Sequence, residues 1–192
     1  MPIAPQIIET IETLEASLPP TTPLTRDTLS DENATPRCVI DTNALLDILF
    51  WKDPGVVALE AALRSGTLVA LRSQATMVEL LDVLVRPQFA GSIEAALPLV
   101  HEAYRLTMPV DNALLAPTSA TVTGTLAPAV CLDPDDQKFL DLAFVARATF
   151  LVSKDKLVLK AAKKLHKFGL LSGTPLDFAE KIRNLEGSHT AK

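Results

Sequence analysis

Short apolar runs alternate along this chain with longer stretches in which apolar residues recur at helical spacing, and that alternation leaves few folds open. The runs are Cys38-Val39-Ile40, residues 68–71, 106–110 and 149–152, and the pair Leu170-Leu171. Helical spacing is read over 43–51, 55–64, 74–84 and 93–105, from Asp133 to Ala148, over 157–168, and after Thr174-Pro175. Strands separated by helices run parallel and are covered on both faces. The pattern predicts an α/β domain with three layers, α/β/α, around a central and mainly parallel sheet.

Ahead of the first run lies a segment of different character. Ile7, Ile8, Ile11, Leu14 and Leu18 fall on one side of a helix that stops at Pro19-Pro20. Pro, Thr, Asp, Asn and Ser then dominate up to Pro36, as in a linker or strap. The expected organisation is an N-terminal amphipathic helix and Pro/Thr-rich linker over 1–36, a domain over 37–186, and a disordered tail over 187–192. The leading helix is expected to pack back on its own domain; a contact with a partner is the other reading. Residues 112–128 show no clear periodicity.

Composition excludes some functions. Apolar residues make up 48% of the chain, enough for a proper core, and the net charge of -5 argues against a generally basic nucleic-acid binder. Any nucleic-acid surface must be a local patch. Cys38 and Cys131 lie in or beside apolar runs without zinc-site or disulfide spacing, and read as buried free thiols of a reducing compartment. The first residues lack a basic segment followed by a continuous apolar one, and no run is long enough to cross a bilayer. A cytoplasmic protein without membrane contact is expected.

In open parallel sheets, ligands bind beyond the carboxyl ends of the strands. Asp41 directly follows Val39-Ile40, and Asp155 follows Phe150-Leu151-Val152-Ser153. Asp133-Pro134-Asp135-Asp136 opens a helix, with Asp133 placed as its cap and Pro134 at the first helical position. Acids there also stabilise a helix N-terminus with no chemical duty, and Asp41 beside Thr42 and Asn43 reads equally well as a cap. At helical spacing Glu79 shares a face with Arg72, Asp82 and Arg86, as on an ordinary solvated surface. Spacing alone does not prefer Glu79 to Asp82.

Four passages go further when taken in order: Val39-Ile40-Asp41-Thr42-Asn43; Met77-Val78-Glu79-Leu80-Leu81-Asp82-Val83-Leu84 with Arg86-Pro87-Gln88-Phe89; Cys131-Leu132-Asp133-Pro134-Asp135-Asp136-Gln137-Lys138-Phe139-Leu140-Asp141-Leu142-Ala143; and Phe150-Leu151-Val152-Ser153-Lys154-Asp155. A weaker echo is Thr174-Pro175-Leu176-Asp177-Phe178. Together, over about residues 37 to 182, the chain resembles a PIN-domain ribonuclease of the VapC-like kind, the toxin component of toxin-antitoxin pairs. The resemblance implies an acidic quartet of Asp41, Glu79, Asp136 and Asp155, with Asn43 and Ser153 as polar companions of the first and last acids. It also implies an RNA substrate, an antitoxin partner and a homodimer. Two departures stand out. Relatives usually place a glycine before the last aspartate and a second aspartate two residues after it, where this chain has Lys154 and Leu157.

Carboxylates forced together repel one another and favour either protonation or a bound cation. Oxygen donors without thiol or imidazole suit Mg²⁺ or Mn²⁺, one or two ions, and such ions assist phosphodiester hydrolysis without a covalent nucleophile. Asp41, Asp136 and Asp155 would be ligands, and Glu79 a ligand or the group that orients water. Lys154, Lys156, Lys160, Lys163, Lys164 and Lys167 concentrate positive charge around Asp155, as an RNA-tracking groove requires; a solvated helix face is the plainer reading for the distal lysines. Phe50-Trp51 could stack a base or belong to the core. The expected function is a metal-dependent endoribonuclease. The alternative is a non-catalytic PIN-fold module that binds RNA or protein, and a phosphatase with a sheet-end aspartate nucleophile ranks last because Asp41-Thr42-Asn43 lacks its second aspartate.

Overall fold

The computed structural model describes residues 3–30, 34–116 and 125–180. Five short strands, β1 (Arg37–Ile40), β2 (Val69–Arg72), β3 (Thr107–Pro109), β4 (Phe150–Val152) and β5 (Leu171–Gly173), form one sheet in the order β3-β2-β1-β4-β5. Every pairing is parallel. The chain winds outward from β1 through β2 to β3, then crosses back to lay β4 on the other side of β1. The switch of direction therefore falls between β1 and β4, where a crevice opens at the carboxyl ends.

Alternation along the strands divides the core into two layers. On one face Cys38, Ile40, Ala70, Phe150 and Val152 pack with α1 (Pro5–Ser17), α3 (Thr42–Leu46), α4 (Val57–Ser65), α5 (Gln74–Leu84) and α6 (Ile93–Leu106). On the other, Val39, Leu71 and Leu151 pack with α2 (Arg26–Leu29), α8 (Gln137–Val145) and α9 (Lys156–Ala162), beside the short α7 (Asn112–Leu115). The result is the expected three-layer α/β/α architecture around an all-parallel sheet. Cys38 and Cys131 are buried and free. Among the described residues no helix is long and apolar enough to cross a membrane.

Several boundaries differ from the sequence reading for local reasons. The first helix after β1 runs into a wider π-type turn over Asp47–Trp51, and Pro54–Val56 forms a 3₁₀ turn before α4. The basic helix read over 157–168 is α-helical only to Ala162 and tightens into 3₁₀ geometry over Lys163–Phe168, ending at Gly169 in a left-handed conformation. Gln137 fastens residues 129–131, accepting from the Cys131 amide at 2.8 Å and donating to the Ala129 carbonyl at 3.0 Å. Residues 175–180 are helical. Residues 117–124 of the aperiodic stretch, the end of the last helix and the 187–192 tail lie outside the described residues.

The N-terminal segment is built into this frame. Ile7, Ile11 and Leu14 of α1 are buried, α1 lies against α5, and the Tyr104 hydroxyl on α6 donates to Glu15 at 3.0 Å. Burying a side chain such as Ile11 contributes about 1.5–3 kcal/mol. Beyond the prolines, Leu24 pairs with Val110 beside the edge strand, its amide donating to the Pro109 carbonyl at 2.9 Å and its carbonyl accepting from the Asp111 amide at 3.1 Å. The strap thus covers backbone groups that an edge strand would leave open.

Candidate active site

The register of β1 and β4 builds the first half of the site. Ile40 stands opposite Val152, and the Asp41 amide donates to the Val152 carbonyl at 2.9 Å, so Asp41 and Ser153 emerge side by side past the strand ends. The Ser153 hydroxyl, fully buried, donates to Asp41 Oδ2 in a close contact and accepts from the Asp155 amide at 2.9 Å. Asn43 Nδ2 donates to the same Asp41 oxygen at 2.8 Å, while Asn43 Oδ1 accepts from the Lys154 amide at 3.0 Å. One serine and one asparagine therefore tie the two strand ends together around a single carboxylate.

Asp41 is 3% exposed, and its carboxyl is held above the ordinary aspartate range. Burial is the main cause and Glu79 adds to it, against the lowering effect of the bonds from Ser153 and Asn43. As a helix cap Asp41 is weakly engaged, since the Asn43 amide reaches Oδ1 only at 3.4 Å.

The acid run 133–136 separates into two duties. Asp133 caps the 3₁₀ turn Pro134–Asp136, accepting from the Asp135 amide at 2.9 Å. Asp136, at the start of α8, has no side-chain cap bond. Its carboxyl is pushed up to about 6, first by burial and then by the carboxylates of Asp41, Asp133, Glu79 and Asp155. The helix-stabilising role belongs to Asp133, and the Asp136 carboxyl feels the charges of the other three acids of the quartet. Asp155 serves in part as a cap: its Oδ1 accepts from the Leu157 amide at 2.6 Å and the Val158 amide at 3.3 Å at the start of α9.

Glu79 turns inward from α5, with 19% of its side chain exposed, and closes on the ammonium of Lys138 from α8, 22% exposed. The same ammonium touches the Asp135 carbonyl. Asp82 instead meets Arg86 at 2.9 Å on the outside of α5. The shared solvated face expected from spacing is therefore corrected. Arg72 belongs to β2, is buried, and donates to backbone carbonyls of Tyr104 and Thr107; Glu79 faces the quartet and only Asp82 and Arg86 form the outer pair. Spacing could not separate Glu79 from Asp82, because the choice is made by the packing of α5 against α8.

The four carboxylates have no thiol or imidazole among them, and the Asp136 carboxyl, raised by burial and then by its neighbours' charges, is in surroundings that favour a hard divalent cation. Chemically the residues fit Mg²⁺ or Mn²⁺. Among the described residues, however, no group of three or more His, Cys, Asp or Glu side chains is already disposed to hold an ion. Three of the four acids have other partners: Asp41 has Ser153 and Asn43, Glu79 has Lys138, and Asp155 has the α9 amides.

The lysines predicted to contact RNA divide as well. Lys154 Nζ goes to Asp47, a buried acid in the π-type turn, whereas Lys156 and Lys160 are exposed along α9. Lys163, Lys164 and Lys167 are exposed farther on. Phe50, Trp51 and Phe89 form an edge-to-face trio with centroids 4.8–5.9 Å apart, and Trp51 is 58% exposed. Lys138 and Asp47 were not singled out from the sequence. The available signals were a lysine inside the acid-bearing passage 131–143 and an aspartate inside the apolar run Leu45-Leu46-Asp47-Ile48-Leu49.

No match was found among curated proteins or among solved structures. The family model of the PIN domain matches residues 37–157, more than half of the chain, and spans β1 through the start of α9 with all four acids. Its members are typically nucleases and generally use divalent metal ions. On that match, and on the all-parallel sheet with acids beyond its carboxyl ends, the chain belongs to the PIN domain family.

Proposed function

We infer that this protein is a metal-dependent endoribonuclease, acting as the toxin of a toxin-antitoxin pair. One observation carries the nuclease reading: the Asp136 carboxyl, free of capping duty, is pushed upward first by burial and then by the carboxylates of Asp41, Asp133, Glu79 and Asp155. Asp41, Asp136, Asp155 and Glu79 would hold Mg²⁺ or Mn²⁺. The bound ion supplies charge neutralisation and activation of water for phosphodiester hydrolysis. Ser153 and Asn43 fix the orientation of the Asp41 carboxylate, and Ser153 also positions the backbone that carries Asp155. The exposed Lys156 and Lys160, one helical turn apart on α9, flank Asp155 and suit a phosphate backbone.

The toxin role, an antitoxin partner and a homodimer rest on the resemblance of the motif set to VapC-like proteins. A non-catalytic PIN-fold module binding RNA or protein is the second reading, favoured by Lys138 closing on Glu79. One experiment separates the two. The purified chain is expected to cut single-stranded RNA with Mn²⁺ or Mg²⁺, to stop with chelator, and to lose about a hundredfold or more of its rate in Asp41→Asn. A folded Asp41→Asn protein that cuts as fast as the parent would sink the nuclease reading.

A further inference from the structure

We propose that Lys138 is a resident counter-ion of the acidic cluster, which competes with the divalent metal for Glu79 and so raises the metal concentration at which the site fills. The inference rests on the metal-dependent reading above. Glu79 and Lys138 are both mostly withdrawn from water, at 19% and 22% side-chain exposure, so their attraction is screened less than that of a surface pair. The ammonium is fixed from a second side by the Asp135 carbonyl, one residue before Asp136. It therefore stands between the α5 acid and the loop that presents the α8 acid.

The lysines beside Asp155 do not share this position. Lys154 is held by Asp47, and Lys156 is exposed on α9. Glu79 also raises the carboxyls of Asp41 and Asp136, so the group that Lys138 neutralises is one that both of them face. The ammonium sits on Glu79 Oε2, and a divalent ion drawn to the same carboxylate is repelled by it. Metal binding therefore moves Lys138 off Glu79, and the work of that displacement is subtracted from the apparent affinity. Loss of the ammonium leaves four like charges with no internal cation, which favours the external one.

The test is a calorimetric Mn²⁺ titration of the full chain and five variants. Lys138→Met and Lys138→Gln are expected to tighten Mn²⁺ binding by about fivefold or more, and Lys138→Arg to stay near the parent because it keeps the charge. Asp41→Asn is expected to abolish binding in the parent and in Lys138→Met alike. If parent binding depends on Asp41 but the Met and Gln variants bind no tighter, the counter-ion role falls and the metal reading stands. If neither the parent nor any variant binds Mn²⁺, both fall. A second measurement needs no substitution: in a ¹³C NMR titration of the parent with Mg²⁺, the Lys138 Cε signal is expected to shift along the binding curve, and a signal unmoved at saturation overturns the displacement.

Discussion

Lys154 closes on Asp47 through both carboxylate oxygens, its Nζ standing 2.8 Å from Oδ1 and 2.6 Å from Oδ2. The two ends of this pair are unlike. Lys154 keeps 47% of its side chain in water, whereas Asp47 keeps 5%. An exposed ion pair alone contributes little, but removing its cation leaves a buried carboxylate without a charged partner. Lys154→Met is therefore expected to lose about 1–3 kcal/mol of stability in urea denaturation, and adding Asp47→Asn should recover most of it. An unchanged midpoint in Lys154→Met would show that the pair is idle.

The same pairing changes what each lysine gives to RNA. Lys154 already has an internal anion, while Lys156 and Lys160 face solvent. Fluorescence anisotropy with single-stranded RNA, over roughly 50–200 mM salt, reads the number of phosphates neutralised. Lys156→Gln and Lys160→Gln are each expected to make the log-log slope shallower by about one, and Lys154→Gln to leave it nearly as it was. The reverse order would place the RNA track on the Asn43 side of the site.

Asp136 sets a pH dependence whose sign can be worked out. Its carboxyl rises from 3.8 to about 6 on folding, so between those values the folded chain binds more protons than the unfolded one. Stability of the metal-free protein should then fall as pH rises through that window, and Asp41 acts in the same direction. Thermal melts in chelator are expected to show a more stable protein near about pH 5 than near about pH 7 from this contribution, with Asp136→Asn flattening the difference. A steeper rather than flatter profile in the variant would show that another group controls it.

Ser153 links Asp41 to Asp155 through one buried oxygen. Ser153→Ala removes a donor to the first carboxylate and an acceptor for the backbone of the last. The expected loss is roughly 10- to 100-fold in Mn²⁺ affinity and in RNA cleavage, against about 1 kcal/mol of stability. Parallel loss of affinity and fold would instead make Ser153 a packing residue.

Much of this was legible in the amino acids because strand and helix periods are local. The run Cys38-Val39-Ile40 ending in Asp41, and the stretch 74–84, read correctly from period and punctuation alone. What the period could not show was which acid faces which. Glu79 and Asp82 are three residues apart on one helix, yet one meets Lys138 and the other Arg86, a difference made by α8 arriving from far along the chain. Asp133 reads as the cap from its place before Pro134, and the 3₁₀ turn gives it that duty, while only the resemblance separates Asp136 from Asp135. Asp47 was missed because an acid inside an apolar helix looks like a solvent-facing residue until a partner, Lys154, comes from a remote strand end. Where chemistry depends on a side chain's nonlocal partner, single-sequence reading has no purchase on it.

The helix that presents Glu79 is itself shored up from outside the family match. α1 lies along α5, and Gln74 at the start of α5 donates to Glu12 of α1 at 3.3 Å. The folded unit is thus larger than the matched domain. A gene trimmed to begin at residue 37 would yield a protein whose α5 has water along the flank that α1 covers. Moving the acids onto another scaffold would therefore call for α1 as well, because the helix that carries Glu79 rests on it.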